Sequence, residues 1–204
     1  MNKSNNLYSR KYGKHAASTN LYSSIRARLR AKFILDELLP EKSDRVLEIG
    51  CNDGRLVSQV SKHVLTCVGI DINKEVVDEA KNSNVVFMDP ENLAFGNGAF
   101  TKIYSSHTFE HIPDIETALR EVSRTLISGG IFIVIFPCEL FRGQAAIKDS
   151  CVLYGHPFSA RKLHLHRLTP AAIRTHARNT SLAIAKSKIV LAPYPDYLLV
   201  LHKR

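Results

Sequence analysis

The stretch that most constrains this chain is Val46-Leu47-Glu48-Ile49-Gly50-Cys51-Asn52-Asp53-Gly54, where an apolar run passes directly into an acid and a glycine-containing turn. Short runs of β-branched and aliphatic residues suit a parallel strand covered on both faces, and the residues beyond the turn read as a helix. Gly50 and Gly54 allow a tight reversal and a close backbone approach to a ligand. Asn52, between them, belongs to the residue type that best tolerates positive φ after glycine. Open α/β sheets bind ligands at such strand-to-helix junctions. A dinucleotide site would require G-x-G-x-x-G, whereas the frame here is acid-x-Gly-x-Asn-x-Gly.

Further strands follow, and acids close the first two of them. Val64 to Ile70 is apolar and ends in Asp71, about 20 residues past the turn, where a carboxylate can accept from ribose hydroxyls. Val85-Val86-Phe87-Met88 ends in Asp89-Pro90. A fourth strand, around Thr101 to Ser106, runs into His107-Thr108-Phe109-Glu110-His111-Ile112. A helical stretch comes next, then Leu126-Ile127-Ser128-Gly129-Gly130 and a fifth strand, Ile131 to Phe136. Each acid also has a local reading. Glu48 can cap the following helix, Asp71 can cap a helix starting at Asn73, and Asp89-Pro90 is an ordinary turn pair.

Taken in order, these segments resemble the class I S-adenosylmethionine (SAM) methyltransferases. The turn is similar to their acid-x-Gly-x-Gly-x-Gly motif, with Asn52 in place of the second glycine. The 107–112 segment looks like their "LEHV" and the 126–130 segment like their "LkpGG" turn. The resemblance covers about residues 45 to 137. It implies an α/β, Rossmann-like seven-stranded sheet of order 3-2-1-4-5-7-6 with strand 7 antiparallel and helices on both faces. It also implies SAM as cofactor, held by Glu48, Gly50, Asn52, Gly54, Asp71 and Ile72, with Asp89 and Pro90 beside the adenine.

The rest of the chain is expected to build the acceptor side of one domain, residues 1–204. Residues 1–40 read as a lid segment and helix, 41–137 as the SAM-binding core, 138–168 as a substrate-side insertion, and 169–204 as a closing helix and two strands. Met1 to Thr19 is polar, and from Leu21 to Leu39 apolar residues recur at helical spacing up to Pro40. That basic start also has the character of a transit peptide or of a helix lying on a membrane, although Asp36 and Glu37 and the direct run into the first strand favour the lid. Tyr154, His156, His164 and His166 are the expected substrate-binding residues of the insertion. Thr169-Pro170 reads as the N-cap and first residue of the last helix, ahead of strands near Ile184 to Leu191 and Tyr197 to His202.

His107, at the end of the fourth strand, is the expected base for a hydroxyl or acidic carbon acceptor. His111 is a second catalytic candidate, or simply a packed or capping residue. His107-x-x-Glu110-His111 is further similar to the Glu-x-x-Glu-His metal-binding segment of small-RNA 2′-O-methyltransferases and some quinone-precursor O-methyltransferases. With His156 or His164 it would hold a divalent ion, the first imidazole favouring zinc, iron or manganese over magnesium.

Composition bounds the partners. Residues 1 to 32 carry eight Lys or Arg and no acid, residues 33 to 138 nine against sixteen, and residues 139 to 204 eleven against three. An acidic core between basic flanks attracts an anionic substrate, RNA or an anionic membrane surface, or is simply solvated. No apolar run approaches the roughly 18 residues of a membrane span. The four cysteines are scattered without C-x-x-C pairs, which suits reduced thiols in a cytoplasmic protein. The expectation is methyl transfer to a small-molecule or lipid-like acceptor at oxygen. An RNA methyltransferase and a non-catalytic SAM-binding protein are the alternatives.

Overall fold

Alternate residues of the central strands divide the interior into two apolar layers, one on each face of a single sheet. The computed structural model describes residues 21–80, 84–138, 156, 164–191 and 194–204, with the side chains of 21–24, 26 and 27 left aside. In strand β1 (Arg45–Ile49), Leu47 and Ile49 face one layer and Val46 the other. In β5 (Leu126–Pro137), Phe132, Val134 and Phe136 join the first layer and Ile133 and Ile135 the second. All five of these β5 residues are fully buried, as expected for a central strand covered on both sides.

The remaining elements are helix α1 (Leu21–Leu38), α2 (Arg55–Val60), β2 (Thr66–Asp71), α3 (Lys74–Glu79), β3 (Val85–Phe87), β4 (Phe100–Ser106), α4 (Ile115–Thr125), α5 (Pro170–His176), β6 (Leu182–Leu191) and β7 (Pro195–Lys203). The strands form a seven-stranded sheet in the order β3-β2-β1-β4-β5-β7-β6. Pairing is parallel from β3 to β5 and antiparallel where β7 meets β5 and β6. The expected fold and strand order are therefore those observed.

Local chemistry accounts for the helix starts. Asp114 caps α4 by accepting from the Thr117 N–H at 3.0 Å, and Ile115, Ala118, Leu119 and Val122 supply its buried stripe. Thr169 Oγ1 accepts from the Ala172 N–H at 3.1 Å, with Pro170 as the first residue of α5. One expectation changes. Residues 126–130 are not a separate turn but part of β5, because the two-residue step from Phe100 to Lys102 in β4 faces the five-residue step from Leu126 to Ile131. The strand takes up the excess as a bulge, with Gly129 at φ +76.

Because β3, β2, β1, β4 and β5 run parallel, their carboxyl ends share one edge of the sheet. β7 is antiparallel, so it begins at that edge, with Asp196 opposite Pro137 of β5.

Candidate functional site

The turn after β1 is held by a carboxylate from the neighbouring strand. Asp71, the last residue of β2, accepts from the Asn52 N–H at 2.8 Å through Oδ2 and from the Asn73 N–H at 2.9 Å through Oδ1. Burial raises its pKa against the pull of these backbone donors. Gly50, Asn52 and Gly54 all have positive φ. A Cβ on Gly50 would overlap the Thr108 side chain, so the missing side chain admits the segment after β4 and not only a ligand. Gly54 is the left-handed N-cap of α2. Asn52 Oδ1 is buried with no hydrogen-bond partner among the described residues. Ile72 is half-buried between Asp71 and the buried Asn73.

Glu48 lies beneath this turn. The residue is 4 % exposed, and its carboxyl accepts from the Tyr104 hydroxyl at 2.9 Å and takes the backbone N–H of Val57 in the first turn of α2. Burial, with the charges of Asp71 and Asp53 adding to it, pushes its pKa up to about 8. Glu48 therefore keeps its proton near neutrality and ties β1, β4 and α2 together from inside.

Asp89 follows β3, whose end is joined to β2 by the Met88 N–H on the Asp71 carbonyl at 3.0 Å. Asp89 is exposed, and its Oδ1 accepts from the Glu91 N–H at 2.8 Å. Pro90 behind it is buried. The turn reading of Asp89-Pro90 is thus realised, with the carboxylate still open to solvent.

His107 closes β4 at φ +56, and its backbone N–H donates to the Ile135 carbonyl at 2.8 Å. Its ring lies between two buried carboxylates. Nε2 is 2.9 Å from Asp196 Oδ2, and Nδ1 is 3.5 Å from Glu110 Oε1. Arg30 of α1 reaches the same Asp196 oxygen at 3.5 Å. Asp196 is the residue that sequence reasoning missed. Its one signal was to be among the three acids of an otherwise basic carboxyl-terminal segment.

Glu110 is 1 % exposed, and neither of its oxygens accepts a hydrogen bond among the described residues. Burial pushes its pKa up, but the imidazoles of His107 and His164 outweigh that and hold it below the ordinary carboxylate value. Its carbonyl accepts from the N–H groups of Leu165 and His166 at 3.0 and 3.1 Å, which lays the 164–166 segment against it. His164 thereby meets His111, ring centroids 5.0 Å apart. Glu110, His111 and His164 present donor atoms all within 4.8 Å of one another. Of the expected set, His107, Glu110 and His111 with His156 or His164, the structure brings Glu110, His111 and His164 together, while His107 Nε2 is turned to Asp196. His166 contacts the Pro113 carbonyl at 3.3 Å, His156 is exposed, and Tyr154 lies outside the described residues.

The chain resembles known proteins at this same edge and around it. Residues 47–134 match the "Methyltransferase domain" family. The uncharacterized methyltransferase YcgJ of Bacillus subtilis strain 168 is 33 % identical over 148 residues, covering 68 % of this chain and 52 % of that protein. The chain spans about half the length of the curated relatives it matches. A methyltransferase-like chain solved with the Haloferax volcanii Trm112 methyltransferase activator gives a TM-score of 0.71 at 16 % identity, over 98 % of this chain and 95 % of that one. Geranyl diphosphate C-methyltransferase of Streptomyces coelicolor A3(2), in complex with Mg²⁺, geranyl diphosphate and S-adenosyl-L-homocysteine, gives 0.67 at 13 % identity, over 87 % and 79 %. At these identities both structures speak for the fold.

Proposed function

From the premise that the chain belongs to the class I S-adenosylmethionine-dependent methyltransferase family, we propose that it transfers a methyl group from SAM to a small-molecule or lipid-like acceptor, at oxygen. The observation that carries the proposal is the Asp71 clamp. One carboxylate at the tip of β2 fixes the turn after β1, and its remaining lone pairs suit the two hydroxyls of a ribose. The buried Asn52 Oδ1 beside it, which has no hydrogen-bond partner among the described residues, calls for a donor such as an ammonium or amide. These residues fit the cofactor. When bound, SAM supplies a methyl carbon that is electrophilic and a thioether that leaves.

The protein's own part is to align the reactants in line and exclude water. In this reading Gly50, Asn52 and Gly54 shape the turn, Glu48 braces it from below, Asp71 and Ile72 flank the ribose, and Asp89 and Pro90 flank the adenine. His107 takes the acceptor's proton from its neutral form, and His111, His164 and His166 line the acceptor side together with Tyr154 and His156. Cytoplasmic placement is part of the proposal. It is supported by the buried free thiols of Cys51, Cys67 and Cys138. Among the described residues, no helix is long and apolar enough to cross a membrane.

Calorimetric titration with SAM tests the donor site. Asp71→Ala is expected to weaken affinity about a hundredfold, since hydrogen bonds to a charged group are lost, and undiminished affinity overturns the assignment. Transfer of labelled methyl groups to fractionated cell extract tests the acceptor, with His107→Ala slower by about 10². A steep dependence of acceptor affinity on salt would identify RNA instead, and SAM binding without transfer would identify a binding protein. A second reading is favoured by Glu110, His111 and His164. One carboxylate and two imidazoles suit zinc, iron or manganese, which would lower the pKa of an acceptor hydroxyl. Zinc titration that is identical for the wild type and His164→Ala removes it.

A further inference from the structure

We propose that Asp196 is a positioning residue that latches helix α1 to His107, so that docking of the helix and orientation of the acceptor-side imidazole are one event. Asp196 is 1 % exposed, and burying a carboxylate costs several kcal/mol unless it is paired. Its Oδ2 is met by two groups from separate parts of the chain: His107 Nε2, just after β4, at 2.9 Å and the Arg30 guanidinium of α1 at 3.5 Å. The sheet explains the meeting. β7 starts at the edge where β4 and β5 stop, so its second residue stands opposite Pro137 of β5, one strand away from β4, while α1 packs over the face built from Tyr104, Ile133 and Ile135.

The ring is oriented by this contact. A carboxylate accepts only, so Nε2 carries the proton that binds Asp196, and Nδ1 is left toward Glu110 at 3.5 Å. Asp196 thus fixes the Nε2 side of a ring whose backbone is already in the left-handed region at φ +56. Without Arg30 the carboxylate would hold His107 but lose this ion pair with α1. The helix has an independent anchor farther along, where Glu37 accepts from Lys186 at 2.8 Å and from Lys188 at 2.6 Å on β6. That second anchor is made by Glu37, Lys186 and Lys188 and not by Arg30, His107 or Asp196, and serves as an internal control.

The inference rests on the proposed role of His107 at the acceptor side, and SAM affinity measured in parallel separates the two. Nitrogen-15 spectra of the His107 ring, identified by loss of its signal in His107→Gln, report which nitrogen is protonated, and amide exchange reports on residues 28–38 of α1. In Asp196→Asn, whose amide can donate as well as accept, the Nε2-protonated form should lose its exclusive population, and exchange should quicken about tenfold or more, with SAM affinity unchanged. Arg30→Gln should quicken exchange likewise and broaden or shift the His107 signal. Glu37→Gln should quicken exchange alone. Once an acceptor is in hand, Asp196→Asn should lower kcat more than it raises KM. A His107 signal identical in the wild type, Asp196→Asn and Arg30→Gln overturns the latch, as does a Glu37→Gln variant that moves His107 as much as Arg30→Gln does. Loss of SAM binding in Asp196→Asn would also overturn it, by moving Asp196 to the donor side.

Discussion

Glu48→Gln should make the protein more stable, and increasingly so as the pH rises. Burial pushes the pKa of Glu48 from 4.5 up to about 8, so the folded chain retains a proton that the unfolded chain has given up. Stability then falls with rising pH across that whole interval, because the native state binds more protons than the unfolded one. Each pH unit is worth about 1.4 kcal/mol, and the span from 4.5 to about 8 amounts to roughly 5 kcal/mol. Above about 8 the folded carboxyl ionises too and the loss levels off. Glutamine does not titrate and has the same shape. Its oxygen can accept from the Val57 N–H and its amide nitrogen can donate to the Tyr104 oxygen, whose proton then turns to the neighbouring Cys67 sulfur. Thermal unfolding of both proteins without ligand, between pH 5 and 9, isolates the effect, since every other titrating group appears in both. The gap in favour of the variant should widen by roughly 2 kcal/mol between pH 6 and 8, since at about 8 the folded carboxyl is already half ionised, or about 4–9 °C in Tm for a chain of this size. A gap that stays constant over that range would refute the assignment of a buried, protonated Glu48.

Other expectations follow from single contacts. Gly50→Ala places a methyl against Thr108 at φ +78 and should cost about 3 kcal/mol from strain and overlap together; urea unfolding within about 1 kcal/mol of the wild type would mean the turn yields easily. Asp44 accepts from Lys102 Nζ and the Glu41 N–H, both at 2.7 Å, and these partners with Thr101 outweigh burial and lower its pKa from 3.8. Asp44→Asn should therefore cost about 1–3 kcal/mol at neutral pH, a difference that closes as the pH falls below 3.8 through the depressed value; a gap that widens in acid would contradict this sign. Thr169→Ala should cost about 1 kcal/mol through loss of the N-cap of α5, and chemical denaturation should show Thr169→Ser restoring most of it.

The order of strands, turns and helices was legible because each rests on short-range physics. Apolar runs of strand length, a positive-φ asparagine between two glycines, and the Thr169-Pro170 helix start all act within a few residues. The tips of β1, β2 and β4 could therefore be read as one edge with Glu48, Asp71 and His107 on it. The roles of those side chains were less legible. Glu48 faces inward because Tyr104 stands on the neighbouring strand 56 positions away. The bulge in β5 depends on its register with β4.

By itself the sequence determined the strand segments and the strand-to-helix turn after the first of them, since apolar runs and the left-handed tolerance of Gly and Asn are properties of each segment, while the order of the strands was implied by the family resemblance. Only the tertiary structure decided the company these residues keep. It brought Asp196 to His107 across 89 positions, carried Arg30 to the same carboxylate, and laid His164 beside Glu110 and His111. Nothing local specifies which buried charge will meet which. That pairing is settled when strands from distant parts of the chain end at a common edge and each desolvated carboxylate must find a partner.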